Sequence, residues 1–247
     1  MDLGRDVVGS GNRLVLVHGF TQTGRCWGPV AEDLATDHEL VLVDAPGHGR
    51  SSSIDVPFTE AAGLIGAAGG PATYVGYSMG GRLCLRLALD HPELVDRLVL
   101  IGASPGLAAP DERAARQAAD EVLAQHIIDM GIEAFIDEWL AQPLFAGLPA
   151  SLACRAERLQ NATNALASSL RNAGTGAQEP LWDRLSDLTM PVLLITGADD
   201  AKFVGIAEQM RSAIGRNATH RVIDGAGHTA HLEAPTPFLA ALRAWLA

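Results

Sequence analysis

Residues 75–81 of this 247-residue chain read Val-Gly-Tyr-Ser-Met-Gly-Gly, and a helical pattern that extends to Leu89 follows them. Gly76 and Gly80 flank Ser78 with almost no side chain, which permits a sharp turn that pushes the serine hydroxyl out of a sheet. The turn also places that hydroxyl at a helix N-terminus, where backbone N–H groups stabilise developing negative charge. A glycine-rich β-to-α turn without catalytic function is the alternative. The context favours a strand–turn–helix unit with Ser78 as nucleophile.

Short apolar runs recur along the chain and end in glycine or polar residues. They lie at 14–17, 40–43, 74–75, 98–101 and 192–195, and a final strand is predicted at 220–223. Continuous apolar runs are typical of parallel strands that helices cover on both faces. The carboxyl ends of such strands form the edge where open α/β sheets bind ligands. The sequence therefore predicts an α/β fold with a mostly parallel sheet and helices on both faces.

The alternation of strands and helices stops after residue 106. Residues 111–185 show no clear strand, and they contain helical patterns at 111–130 and 132–140. Strand character resumes near residue 190, and the last helix is predicted at 235–246. We expect residues 1–104 and 187–247 to form the core, with residues 105–186 as a helical cap over the catalytic edge.

Composition excludes several classes of partner. The formal net charge of −11 argues against a nucleic-acid or anionic-membrane surface, so an anionic substrate would need a local arginine cluster. Cys26, Cys84 and Cys154 are odd in number and widely spaced, from which we expect a reducing compartment and no disulfide. The first residues lack the apolar region of a signal peptide, and no apolar run approaches the length of a membrane span. A cytoplasmic location is the expectation.

No metal or cofactor is predicted. No histidine, cysteine or acidic spacing matches a metal-ligand set, and no G-x-G-x-x-G opens a helix after the first strand. The expected partner is a small anionic molecule. The choice between a monomer and a homodimer stays open at this point.

A serine nucleophile needs a base and an acid that orients the base. With this turn the chain order is serine, acid, histidine. Asp199 and Asp200 compete for the acid, and we favour Asp200 because it falls three residues after the glycine that ends the strand. The other aspartate would be a solvated turn residue or a helix cap. His228, on a glycine-rich loop after the final strand, is favoured as base over His231, which would line or support the pocket.

Two backbone N–H groups should form the oxyanion hole. The expected donors are Met79, directly after the nucleophile, and Phe20, in the loop after the first buried strand. Arg82 lies four residues after Ser78, on the same side of the helix, and a guanidinium there could bind a carboxylate. The cap segment adds further arginines, most of which would face solvent: Arg113, Arg116, Arg155 and Arg158.

Several motifs resemble those of the α/β-hydrolase superfamily over nearly the whole chain. Within it, they are similar to the 2-succinyl-6-hydroxy-2,4-cyclohexadiene-1-carboxylate synthases of menaquinone biosynthesis. The motifs lie at residues 16–20, 44–49, 76–82, 105–116, 139–145, 197–203 and 226–231. Leu140 departs from the pattern, since such synthases tend to have a second aromatic residue after the cap tryptophan. Gly197-Ala198 departs as well, because Gly-Glu is more usual there.

The resemblance implies an α/β-hydrolase fold and a lyase. The implied substrate carries several carboxylates and an enolpyruvyl group, and it loses pyruvate after a proton is abstracted. Ser78, Asp200 and His228 would be the triad, with the serine acting mainly as a base. The implied substrate-site residues are Tyr77, Arg82, Arg116, Trp139 and Arg158. A serine carboxylic-ester hydrolase with the same triad is the main alternative, and a catalytically silent ligand receptor is a third.

Overall fold

Seven strands form a single sheet in this computed structural model, which describes all 247 residues. The spatial order is β1-β3-β2-β4-β5-β6-β7. The strands are β1 (Arg5–Gly9), β2 (Asn12–Val17), β3 (His38–Val43), β4 (Ala72–Tyr77), β5 (Val95–Ile101), β6 (Val192–Gly197) and β7 (Ala218–Ile223). All neighbours run parallel except β1, which pairs antiparallel with β3. The predicted mostly parallel sheet is confirmed.

Strand β1 was not predicted from the sequence. It lies at the sheet edge, and Val7 and Val8 are exposed there. An edge strand that buries so little lacks the continuous apolar run by which the inner strands were recognised.

Helices cover both faces of the sheet. They are α1 (Gly28–Leu34), α2 (Phe58–Gly69), α3 (Met79–Asp90), α4 (Pro110–Met130), α5 (Ile132–Leu140), α6 (Arg155–Arg158), α7 (Thr163–Ala173), α8 (Ala201–Ile214), α9 (Ala230–Glu233) and α10 (Pro235–Leu246). One core cluster joins the sheet to α2, α3 and α8, and a second joins its other face to α1 and α10. Because β2, β4, β5 and β6 are covered on both sides, their apolar runs are fully buried.

The register aligns the carboxyl ends of the inner strands. Val17 pairs with Gly76, Tyr77 with Ile101, and Gly197 with Ile223. The loops that follow β2, β4, β6 and β7 therefore leave the sheet at one edge. This edge is where the candidate residues of the site converge.

Helices α4 to α7, called the cap helices below, lie above that edge. No strand interrupts the chain between β5 and β6, as the sequence indicated. The cap helices bury a small apolar cluster of their own: Ala124, Ile127, Phe135, Ile136, Leu166, Ala167 and Leu170. The division into a core and a cap at residues 105–186 stays a prediction. No helix combines the length and apolarity that a membrane crossing requires.

One prediction from the cysteines is wrong. Cys26 and Cys154 form a disulfide, with their Cα atoms 5.5 Å apart and a sequence separation of 128. Spacing along the chain gave no sign of the pair because only the fold of the cap segment brings Cys154 onto the 3₁₀ turn Gly24–Trp27. Cys84 is free and buried. The pairing removes the cysteine argument for a reducing compartment, and the cytoplasmic location stays a prediction.

Candidate active site

The turn between β4 and α3 holds Ser78 in an unusual backbone conformation. Its φ is +50° and its ψ is −110°, a region that costs a residue with a side chain about 1–3 kcal/mol. A Cβ on Gly76 would come within 2.6 Å of the Gly80 carbonyl oxygen, and one on Gly80 within 2.2 Å of the Val17 carbonyl oxygen. Both flanking positions therefore require glycine, which is the physical basis of the predicted sharp turn.

Ser78, His228 and Asp200 form a continuous hydrogen-bonded chain. The His228 Nε2 atom lies 3.2 Å from Ser78 Oγ, and His228 Nδ1 lies 2.7 Å from Asp200 Oδ2. With its Nδ1–H donated to the carboxylate, the imidazole leaves Nε2 free to accept the serine proton. Asp199 is exposed and its side chain makes no such contact. The geometry thus brings together the three residues favoured from the sequence.

Asp200 also caps the helix that follows it. Its Oδ1 atom accepts the Phe203 N–H of α8 at 3.3 Å while Oδ2 faces His228. The Phe203 ring packs against the His228 imidazole with centroids 4.6 Å apart. The sequence argument had given a capping role to whichever aspartate was not the acid, whereas Asp200 performs both. One carboxylate therefore fixes the helix and orients the base.

His231, the rival base, is a packing residue. Its ring lies 4.5 Å from the Tyr77 ring and 4.9 Å from the Trp27 ring, and it is 1% exposed. Burial lowers the pKa of His231 to about 3, so the ring is neutral near pH 7. It supports the site from beneath.

The loop after β2 presents an unpaired N–H at Phe20. No protein acceptor takes the N–H of Phe20 or that of Met79, the two donors predicted for the oxyanion hole. Neighbouring bonds hold the loop: the Gly19 N–H donates to Gln22 Oε1 at 3.0 Å, and the Thr21 N–H donates to His48 Nε2 at 3.3 Å. The free N–H of Phe20 is thus fixed in place before any substrate binds.

Two buried histidines support this loop in their neutral form. His18 Nε2 accepts the Ala45 N–H at 3.0 Å, while His48 Nδ1 donates to the Pro46 carbonyl oxygen at 3.0 Å. Burial lowers the pKa of His18 to about 4 and that of His48 to about 3. Both rings can therefore accept a backbone N–H at neutral pH. The turn role that the sequence suggested for His48 fits this geometry.

A cavity of about 600 Å³ lies between the triad and the cap helices. Phe20, Ser78 and Met79 line its core side, and Trp139 of α5 lines its cap side. The Trp139 ring meets the Phe20 ring edge-on at 5.4 Å, and its Nε1–H is buried without a partner. The indole N–H is therefore an available donor beside the oxyanion loop.

Arg82 is a buried cation that no carboxylate neutralises. Its guanidinium donates to the Ala173 carbonyl oxygen at 2.6 Å and to Gln178 Oε1 at 2.9 Å, and it forms no ion pair. Burial lowers the pKa of Arg82 to about 10, which leaves it charged near pH 7. Because Arg82 lines the cavity, its charge is available to an anionic ligand.

Arg116 and Lys202 also line the cavity. The Arg116 Nε–H donates to Asp120 Oδ1 at 2.7 Å, which directs the guanidinium, whereas Lys202 has no acidic partner. The cavity also contains the carboxylates of Glu112 and Asp200. Sequence reasoning placed Lys202 in a family motif without assigning it to the site.

Two residues expected to line the substrate site lie behind it instead. Arg158 is 1% exposed, and its guanidinium donates to the Ala153 carbonyl oxygen at 2.8 Å and to Thr21 Oγ1. Tyr77 is 3% exposed and packs against the rings of His231 and His228. Neither lines the cavity. The fold turns both side chains toward the back of the oxyanion loop and the base, so they support the site without contacting it.

Sequence reasoning missed three polar side chains that position others. Gln178 holds Arg82, Asn161 accepts the Gly49 N–H at 2.8 Å, and Glu233 binds the backbone around His228. These contacts join segments far apart in the chain, so no local motif could have identified Gln178 or Asn161. Glu233 lies five residues after His228, and that proximity was the available signal. No group of three or more histidine, cysteine, aspartate or glutamate side chains is placed to hold a metal ion.

A family model described as the alpha/beta hydrolase family matches residues 14–242. The chain belongs to this family. The triad, the strained serine turn and the free N–H groups of the site are therefore those of an alpha/beta hydrolase, as the sequence motifs indicated.

Relatives within the family narrow the resemblance. A protein from Escherichia coli O1:K1 named 2-succinyl-6-hydroxy-2,4-cyclohexadiene-1-carboxylate synthase is 33% identical over 93% of this chain and 91% of its own length. The solved structure of MenH from S. aureus superposes with a TM-score of 0.91 at 30% identity, covering 98% of this chain and 97% of that one. The predicted resemblance to these synthases is confirmed.

A thermophilic esterase from Thermogutta terrifontis shares the fold. Its structure superposes with a TM-score of 0.81 at 22% identity, covering 99% of this chain and 92% of that one. At this identity the likeness concerns the alpha/beta hydrolase fold alone.

Proposed function

We propose that the protein is a lyase that eliminates pyruvate from a polycarboxylate intermediate of menaquinone biosynthesis and yields 2-succinyl-6-hydroxy-2,4-cyclohexadiene-1-carboxylate. The observation that carries the proposal is the Arg82 guanidinium, a buried cation without a carboxylate partner in the cavity that holds Ser78, His228 and Asp200. A polyanionic substrate would supply the missing negative charge. The relatives named as this synthase support the same reaction.

In the proposed mechanism Ser78 acts as the base. His228 Nε2 accepts the Ser78 proton, and the serine oxygen removes a proton from the substrate carbon beside a carbonyl. Negative charge develops on that carbonyl oxygen, where the N–H groups of Phe20 and Met79 stabilise it. The electron pair then forms a new carbon–carbon double bond and breaks the C–O bond to the enolpyruvyl group. The departing enolpyruvate gains a proton and becomes pyruvate.

The cations of the cavity account for binding of a polyanion by an acidic protein. Arg82, Arg116 and Lys202 surround the same space, whereas the net charge of −11 is spread over the whole chain. Charges at the cavity act over a few ångströms, while those of the outer surface are screened over about 10 Å at 0.1 M salt. We therefore expect a small anionic substrate and no cofactor.

Hydrolysis of a carboxylic ester is the second candidate. The 3.2 Å contact between Ser78 and His228 and the free N–H groups of the oxyanion loop are also what a serine esterase requires. In that reaction Ser78 would attack the carbonyl carbon and form an acyl-enzyme. The buried cation favours the lyase, because a neutral ester leaves Arg82 without an anion.

The decisive experiment measures pyruvate release from the synthase substrate, with p-nitrophenyl acetate hydrolysis in parallel. We expect pyruvate release to exceed ester hydrolysis by at least about 10³-fold in kcat/KM, and the Ser78→Ala variant to lose both activities. Efficient ester hydrolysis near 10⁴ M⁻¹s⁻¹ or above, without pyruvate release, would establish the esterase and refute the lyase, since that value is roughly the lower end for enzymes.

A further inference from the structure

Glu233 binds the backbone on both sides of His228. The loop at residues 224–229 joins β7 to α9, and Glu233 is the last residue of α9. Its Oε2 atom accepts the Gly227 N–H at 2.7 Å, and its Oε1 atom accepts the Thr229 N–H at 2.9 Å and the Thr229 hydroxyl at 2.5 Å. One carboxylate therefore fixes the residues immediately before and after the base.

The carboxylate has no other polar partner. Glu233 forms no ion pair with any lysine, arginine or histidine, and it does not line the cavity. No other side chain hydrogen-bonds to the backbone of residues 224–229. Hydrogen bonds to an ionised acceptor are stronger than those between neutral groups. The position of His228 in the loop thus depends on this one side chain.

The requirement for position is strict at this site. The separation of 3.2 Å between His228 Nε2 and Ser78 Oγ is at the long end of an O–H···N contact, so a further shift would break proton transfer. The loop is anchored on its other side by the Asp199 N–H, which donates to the Ala226 carbonyl oxygen at 2.9 Å. With that bond alone, the peptide planes that flank His228 could rotate.

We propose that Glu233 is a positioning residue that holds the His228 imidazole within hydrogen-bonding distance of Ser78 and Asp200. It acts through the peptide N–H groups of Gly227 and Thr229 and does not touch the substrate. For pyruvate release the inference rests on the proposed function. For the reactivity of Ser78 it does not, because any reaction in which His228 deprotonates this serine depends on the same geometry.

The cap contacts this carboxylate as well. A Cβ on Gly147 would lie 2.3 Å from Glu233 Oε2, so the cap backbone passes directly over it. An alanine at residue 147 would displace the carboxylate from the Gly227 N–H. The substitution Gly147→Ala therefore tests the same contact from outside the catalytic loop.

The experiment measures covalent labelling of Ser78 by a fluorophosphonate, together with kcat and KM for pyruvate release. Glu233→Gln keeps the size of the side chain, but its NH₂ group cannot accept an N–H, so one of the two flanking bonds is lost. We expect the labelling rate and kcat to fall by about 10-fold or more, with KM within about 2-fold. Gly147→Ala should produce a smaller loss of the same kind.

Ile214→Ala controls for lowered stability. Ile214 is buried at the far end of α8, about 20 Å along the helix from Asp200, and its truncation should leave the labelling rate unchanged below the unfolding temperature. Labelling and kcat of Glu233→Gln within 2-fold of the unsubstituted protein would overturn the proposal. So would a loss confined to KM. Normal labelling without pyruvate release in the unsubstituted protein would refute the proposed function and leave the labelling result to decide on Glu233.

Discussion

The sheet edge and the cap contribute to the cavity in different ways. Ser78, Asp200 and His228 come from loops that follow three parallel strands, whose hydrogen-bonded registers fix the starting point of each loop. The cap helices rest on that edge through a few polar contacts, such as Asn161 to the Gly49 N–H and Arg82 to the Ala173 carbonyl oxygen. The rigid ladder thus sets the chemistry, and the cap supplies contacts that select a substrate.

The largest effect is expected at the sheet edge. Asp200→Asn should lower kcat by about 10⁴-fold, because an amide no longer holds His228 in the tautomer that accepts the Ser78 proton. Steady-state pyruvate release measures the change. Asp199→Asn is the matched control and should stay within about 2-fold, since Asp199 is exposed. The reverse order of the two variants would assign the acid to Asp199.

Acid should destabilise the sheet edge, where three neutral histidines are buried. Burial lowers the pKa of His18 to about 4 and the pKa values of His48 and His231 to about 3, against about 6.5 in the unfolded chain. Below about pH 6.5 the unfolded state therefore binds more protons, so stability is complete above this pH and is lost as the pH falls toward 4. Each histidine adds up to about 1.4 kcal/mol per pH unit to the slope, or about 4 kcal/mol for all three.

Urea unfolding between pH 5 and 7.5 measures this slope. His48→Gln removes one of the three groups and should reduce the slope by about one proton. A free energy of unfolding that stays constant from pH 7 to pH 5 would contradict buried neutral histidines at this edge.

The covalent link between the two regions should matter for stability more than for chemistry. Removing the disulfide with Cys154→Ser should lower the free energy of unfolding by about 2–5 kcal/mol under oxidising conditions, because the bond closes a long loop of the unfolded chain. Denaturant unfolding with and without dithiothreitol measures the effect. With the reductant present, the variant and the unsubstituted protein should unfold alike. A difference that persists there would show that Cys154 contributes by packing alone.

The cap should respond mainly through substrate binding. Arg116→Ala should raise KM for the polyanionic substrate by about 10-fold and change kcat little, because it removes one charge-assisted bond worth about 1.5–3 kcal/mol. Arg113→Ala is the matched control on the same helix, where the guanidinium donates to the Leu107 and Ala108 carbonyl oxygens and does not line the cavity. Equal effects of the two variants would contradict a specific role of Arg116.

Local sequence was sufficient wherever a function is bound to a local backbone. The turn at Ser78 was recognisable because Gly76 and Gly80 have neighbours that leave no room for a Cβ. The inner strands were recognisable because burial on both faces demands continuous apolar runs. Strand β1 escaped because an exposed edge places no such demand on its residues. The helical cap segment was evident from the absence of strands between residues 111 and 185.

The sequence by itself determined the serine turn, the order serine, acid, histidine, and the parallel sheet, since each follows from steric rules over a few residues. Only the tertiary structure decided which charges enter the cavity. Arg82 and Arg158 look alike in the sequence, yet one lines the cavity and the other supports the oxyanion loop from behind. Only the fold, too, paired Cys26 with Cys154, because two side chains 128 residues apart meet through packing that no local pattern specifies.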